Sequence, residues 1–465
     1  MIFKTEISKV LSEGCDERVH IIESTGRNKY HLNPVKYESL LQRGSCTANL
    51  LTKRSHGVAK AFLGKYEELS YDNLLETQAT RIKQLVGSEF NDPFDVYFAP
   101  SGSDLVYYPL LFQFMLNPGK KVINVVSCPE ELGSGSKLAS ETRFYANFNQ
   151  FGENIVKGDF VDPDNVSEVH YLDARDDQGN ILDRTKAIKD IIAKTPDAAV
   201  VASLVFGSKS GIKDDLDVID PESNTMWVVD LCQFRVDPKL IHDLLEKGVM
   251  IMLTGSKFFQ APPFCAAMLV PRKWSEQLKG VDASVIKPYG ALFSAYDIPW
   301  YMENMREQLP IRENKGLRLR WEIALDEMEA YSYWSTSQTD ETITRWATGV
   351  MSRLETSKYF KLMPDQLLTN MSIISFQVWV NERALNNAEL KQLFEAITTA
   401  THAGFNNGID RVFFGQPVEY ANKSFIRLAV GAYAVREFLE KDAIDFHNDN
   451  RLIEVIEEAS QKMFG

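Results

Sequence analysis

Asp230, Gln233 and Lys257 are residues whose types and spacing suit one chemistry. They lie in VVDLCQFRVDPKLIHDLLEKGVMIMLTGSKFFQAPPFCAAMLV (228–270). A lysine amine condenses with an aldehyde, and a carboxylate keeps a pyridine nitrogen protonated. An amide NH2 donates a hydrogen bond to a ring hydroxylate. Thr254 and Ser256 flank the lysine and offer hydroxyls to a phosphate. Taken singly these residues say little. A lysine after a strand is ordinarily solvated, an aspartate at a strand end is ordinarily a turn residue, and short motifs match by chance.

The elements around them supply the context. MWVVDLC (226–232) reads as a strand, DPKLIHDLLEKG (237–248) as a helix closed by Gly248, and VMIMLTG (249–255) as a strand. Strand, helix, strand returns Lys257 to the edge that holds Asp230. In open α/β sheets, ligands bind outside the carboxyl ends of the strands. This arrangement suits pyridoxal phosphate. The D-x-x-Q followed by T-G-S-K-F-F resembles pyridoxal-phosphate-dependent enzymes of the aspartate aminotransferase fold, fold type I. It is most similar to their class V aminotransferase and cysteine desulfurase branch. The similarity spans roughly 90 to 271, with a second piece at 424–432.

The resemblance implies a Schiff base on Lys257 and a ring nitrogen held by Asp230. It implies transfer of an amino group between an α-amino acid and a keto acid, in a homodimer with shared active sites. A Ser-Gly-x-Thr-Glu loop of the family is matched by APSGSDLVYYP (99–109), which carries Gly102, Ser103 and Asp104 over as phosphate binders. A helix N-terminus suits that role, and Ser103 also reads as a plain N-cap. Arg427 in SFIRLAVGA corresponds to an arginine that clamps the substrate carboxylate. Its other reading is a structural ion pair.

Two departures stand out. Leu132, in SCPEELGSGSKLA (127–139), stands where many of these enzymes stack a histidine on the ring. FGSKSG (206–211) offers only Ser208 and Ser210 where an asparagine or threonine contacts the ring hydroxyl, and Ser208 is assigned. RGSCTANLLTKRSHG (43–57) is small and polar, suited to an active-site loop. RENKGLRLR (312–320) reads as a basic linker or, through Asn314, Lys315 and Gly316, as the loop that crosses to a partner's phosphate.

The five cysteines, Cys15, Cys46, Cys128, Cys232 and Cys265, are scattered without a CxxC pair, so neither a disulfide scaffold nor a structural zinc site is expected. None follows Cys265, which disfavours a persulfide mechanism. A β-eliminating or C–S lyase that keeps the cofactor is the alternative reading, and a non-catalytic binding protein of the same fold is another.

With 44% hydrophobic and 25% charged residues, the chain is not a disordered one. A net charge of -13 excludes a general basic footprint for nucleic acid or anionic membrane. No metal, signal peptide or membrane span is expected, and a reducing cytoplasm is. Short apolar runs at 95–99, 121–127, 168–174, 198–206 and 264–271 alternate with helical patterns at 72–87, 104–115 and 182–194. That predicts an α/β domain with a largely parallel sheet. Strands at 372–380 and 424–432, with helices at 315–335, 387–400 and 434–463, predict a smaller α+β domain. The expected division is an irregular segment 1–60 that joins the small domain or lines the site, a cofactor-binding domain 61–305, and a small domain 306–465.

Overall fold

The computed structural model describes residues 2–33, 39–87, 94–363, 371–420 and 423–465, and the side chains from residue 6 onward. The first strand, β1 (Leu40–Arg43), belongs to a sheet completed late in the chain. The next seven are β2 (Phe94–Ala99), β3 (Val122–Ser127), β4 (Ser167–Leu172), β5 (Ala199–Val205), β6 (Met226–Asp230), β7 (Met250–Thr254) and β8 (Ala266–Pro271). They form the large sheet in the order β2-β8-β7-β6-β5-β3-β4. Among the described residues β8 runs opposite to the other six strands, which are parallel to one another. Its inner strands read as unbroken apolar runs because helices cover both faces. This is the α/β architecture expected.

The smaller sheet takes β9 (Phe360–Leu362), β10 (Ile373–Val380), β11 (Arg383–Ala384), β12 (Arg411–Tyr420) and β13 (Lys423–Ala429). Its order is β1-β12-β13-β10-β11, with β9 on β10. The parallel register of β1 on β12, Leu40 to Arg411 through Arg43 to Phe414, draws the N-terminal segment into this sheet.

That segment is not irregular, as its glycines suggested. Helices run over Ile2–Leu11 and Lys53–Lys65. The second starts at a capping box between Thr52 and Ser55. Both pack on the helix Lys315–Ser332. Gly316 makes the approach possible: a Cβ there would lie 2.7 Å from the carbonyls of Val10 and Glu13. The sequence reading also missed β12 and the helix Thr336–Glu355. The helical stretch at 434–463 is two helices, Ala432–Glu440 and His447–Phe464, parted where Asp442 takes a positive φ of 50°.

Asp449, fully buried on the last helix, meets Arg43 of β1 through Nε at 2.6 Å and Nη2 at 2.9 Å. Arg43→Ala would strand that carboxylate in the interior. The expected loss is about 3–5 kcal/mol in urea unfolding, and an unchanged midpoint would refute it.

Candidate functional site

The parallel register sets Val205 beside Asp230 and Asp230 beside Met252, so β5, β6 and β7 end on one edge. Asp230 is half-buried there, and its Oδ1 accepts the Cys232 N–H at 2.7 Å. Lys257, three residues beyond β7, is also half-buried, and its side chain makes no hydrogen bond or ion pair among the described residues. It lies close enough to Asp230 for both to act on the titration of Cys232 and of Lys209. Gln233 is buried; its amide oxygen accepts from Arg235 Nε at 3.3 Å, which turns the NH2 group to other partners.

The helical turn Gly102–Leu105 follows β2 at the same edge. A Cβ on Gly102 would sit 3.0 Å from Cys232 Sγ and 3.6 Å from Thr254 Cγ2, so glycine is needed for this turn to rest on the ends of β6 and β7. The first N–H groups of a helical turn have no partner within it. Ser103 Oγ lies 3.3 Å from Ser136 Oγ, under the 133–136 loop.

The other expected phosphate ligands divide by where their donors go. Ser256 Oγ accepts from Thr47 Oγ1 at 2.7 Å and keeps its own proton to give. Thr254 has already given its hydroxyl proton to the Cys232 carbonyl at 2.8 Å, so its part is to hold that turn. Asp104 is engaged within its own turn. Its Oδ2 accepts from Ser101 N–H and Oγ, its Oδ1 from the Tyr145 hydroxyl at 2.8 Å, and its N–H donates to the Ser101 carbonyl. A carboxylate so held caps the turn and offers a phosphate nothing. Ser208 is engaged in the same way: its hydroxyl donates to Glu131 Oε2 at 2.6 Å. Ser210 donates to the same carboxylate through both Oγ and N–H.

Arg427 comes to the site from β13. Gly415 opposite it is required, since a Cβ there would lie 2.7 Å from Arg427 Cβ. An irregularity in the β12–β13 register between Gly415 and Val418 leaves the Gln416 carbonyl for Arg427 Nη2 at 2.9 Å, while Nη1 donates to the Lys209 carbonyl at 3.0 Å. Nε is buried without a partner. The other candidate cations are engaged elsewhere, Arg43 with Asp449 and Arg54 with Asp326.

Leu132 packs on Cys128, Ala174, Val205 and Ile212. Asn314, Lys315 and Gly316 face their own chain. The Asn314 amide donates to Gly14 and Gln150, and Lys315 pairs with Glu6 and Glu67.

The polar loop 43–57 lies against Ser256, whose carbonyl Asn49 Nδ2 holds at 2.6 Å. It brings Cys46 near Arg427 and Lys257, and burial pushes that thiol up, away from a nucleophilic thiolate. Glu131, Lys209, Thr47 and Asn49 had no motif to mark them. Among the described residues no cluster of His, Cys, Asp and Glu could hold a metal ion, and no helix is long and apolar enough to cross a membrane.

No family model and no curated protein matches the chain. Solved structures do. The chain is similar to mouse CSAD at 14% identity, covering 91% of this chain and 84% of that one, with a TM-score of 0.57. It is similar to the cysteine desulfurase CsdA from Escherichia coli at 12% identity, 90% and 94% coverage and a TM-score of 0.54. It is also similar to the ureidoglycine-glyoxylate aminotransferase from Bacillus subtilis at 11% identity, 91% and 98% coverage and a TM-score of 0.50. The chain has the aspartate aminotransferase fold, fold type I, as its Asp230 to Lys257 motif implied.

Burial pushes the Asp104 carboxyl up to about 6, against the hydrogen bonds from Ser101 and Tyr145 and the nearby Arg18, with Asp16 adding to the rise. A folded value above the unfolded one means stability is fully present below about 3.8 and falls as pH rises to about 6. Asp104→Asn removes that titration. Wild type should therefore lose roughly 3 kcal/mol relative to the variant between pH 3.5 and 7 in urea melts. A constant difference across that range would refute the assignment.

Proposed function

We propose that the chain is a pyridoxal-phosphate-dependent enzyme acting on α-amino acids, an aminotransferase. The observation that carries this reading is the unpartnered Lys257 beside Asp230 at the carboxyl edge of the parallel strands. The residues fit the cofactor: a glycine cradle at Gly102, a Ser256 hydroxyl with its proton free, and a Gln233 amide whose oxygen is taken by Arg235 and whose NH2 is left to give. The Gly102 and Ser103 N–H groups with Ser256 Oγ would hold the phosphate, Gln233 the ring oxygen and Asp230 the ring nitrogen. When bound, the cofactor supplies an electron sink for the bond broken at Cα.

Asp230 would hold the ring nitrogen in its protonated form, which deepens that sink. The Lys257 amine would serve as the base for the substrate Cα proton and as the acid that gives it back. Arg427 orients the substrate by its carboxylate through Nε and Nη2, the side of its fork with an unused donor. The chain's own segment 45–49, tied to Ser256, covers this edge and limits water. The cytoplasmic location and the homodimer with shared sites belong to this proposal too, as does the keto acid as second substrate.

Borohydride treatment with pyridoxal phosphate present should fix the label on Lys257, and peptide mapping to Lys209 would overturn the assignment. Half-reaction with an amino acid should leave the pyridoxamine form and a keto acid. Ammonia with regenerated cofactor would select the lyase instead. Asp230→Asn should lower turnover on the order of 10²–10³-fold with labelling of Lys257 retained. Normal turnover in that variant would end the electron-sink argument.

A further inference from the structure

A second lysine enters the site from the loop after β5. Phe206 N–H donates to the Asp230 carbonyl at 3.2 Å, so the loop 206–211 starts beside the aspartate. Positive φ angles at Gly207 (75°) and Gly211 (84°) turn it back. Two anchors hold the loop between them. Glu131 takes Ser208 Oγ at 2.6 Å and Ser210 N–H at 2.9 Å on Oε2, and Ser210 Oγ at 2.6 Å on Oε1. Arg427 Nη1 takes the Lys209 carbonyl.

The Lys209 side chain crosses to the loop after β3, where Nζ donates to the carbonyls of Glu130, at 3.3 Å, and Leu132. An ammonium has three donors. Two are used, and the third has no protein acceptor among the described residues. No carboxylate lies within 4.0 Å of Nζ among them either, so Lys209 is a cation without an ion pair. Glu131, which anchors the loop, already accepts three hydrogen bonds. Burial pushes the ammonium down to about 8, Glu131 opposes the drop, and Arg427 and Lys257 add to it.

A lysine that served only to brace the loop would not need a charge here, since a neutral amide also donates to two carbonyls. A half-buried cation with an unused donor beside Arg427 and Lys257 attracts an anion, and Arg427 can serve only one carboxylate side-on. We infer that the site takes amino acids whose side chain carries a second acidic group, which Lys209 Nζ binds while Arg427 holds the α-carboxylate. This rests on the reading of Lys257 and Arg427 as the substrate site.

The test is calorimetric titration of the purified full chain with glutarate and succinate against the monocarboxylates butyrate and propionate. The dicarboxylates should bind at least tenfold more tightly. Lys209→Gln should erase that margin and leave the monocarboxylates within twofold, while Lys209→Arg should retain it. Equal binding of both classes by wild type overturns the inference, as does a Lys209→Gln variant that weakens both classes alike. Colour on adding pyridoxal phosphate is read separately. A chain that turns yellow yet binds both classes equally overturns this inference alone. A chain that stays colourless overturns the proposed function, whatever the carboxylates do.

Discussion

A buried guanidinium must be met by oxygen, and in this chain that requirement joins the two sheets. Arg427 leaves β13 to hold the carbonyl of Lys209 in the loop after β5. Arg235, just past β6, reaches the other way, to Ser372 Oγ at 2.9 Å and the Val430 carbonyl at 2.7 Å. Arg320 holds the carbonyls of Leu11 and Glu13 and so pins the N-terminal segment to the long helix. Arg43 closes the far end on Asp449. The edge bearing Asp230 and Lys257 lies along this seam. Its geometry depends on segments from both ends of the chain keeping their arginines satisfied.

The same seam braces the turn at Gly102, which the proposal gives to the phosphate. That turn rests on Cys232 and Thr254 through Gly102. Behind it, Asp104 links to Tyr145 and Ser101, and Arg18, paired with Asp16, reaches Ser101 Oγ at 3.3 Å. In front, Thr47 and Asn49 hold Ser256. Preorganised donors of this kind stabilise charge without having to reorganise during reaction. The N-terminal segment thus stands on both sides of this turn; the small polar residues of 43–57 pointed to the front side, while nothing in the sequence pointed to Asp16 and Arg18 behind it.

Much of the fold was legible because burial writes itself into residue type. The runs at 198–206, 226–232 and 249–255 are apolar on both faces, and they are β5, β6 and β7. The helix Thr336–Glu355 was missed because polar residues fill much of it and its apolar face needs a partner to be recognised. β12 was missed for a different reason. Pro417 and the register irregularity interrupt its pattern, and Gly415 is there for Arg427 rather than for the strand.

The sequence by itself determined the strand-helix-strand unit that carries Asp230 and Lys257 to one edge, since that follows from local pattern and parallel pairing. It also determined the donors the site holds, because those are residue types. Only the tertiary structure decided which donors are free. A hydroxyl has one proton to give, and its recipient depends on what is packed beside it. Thr254 gives to Cys232 and Ser208 to Glu131, while Ser256 keeps its proton because Thr47 approaches as a donor. Lys209 enters the proposal for the same reason: the loops after β3 and β5 meet across the edge, and its ammonium gives two of its three protons to carbonyls there.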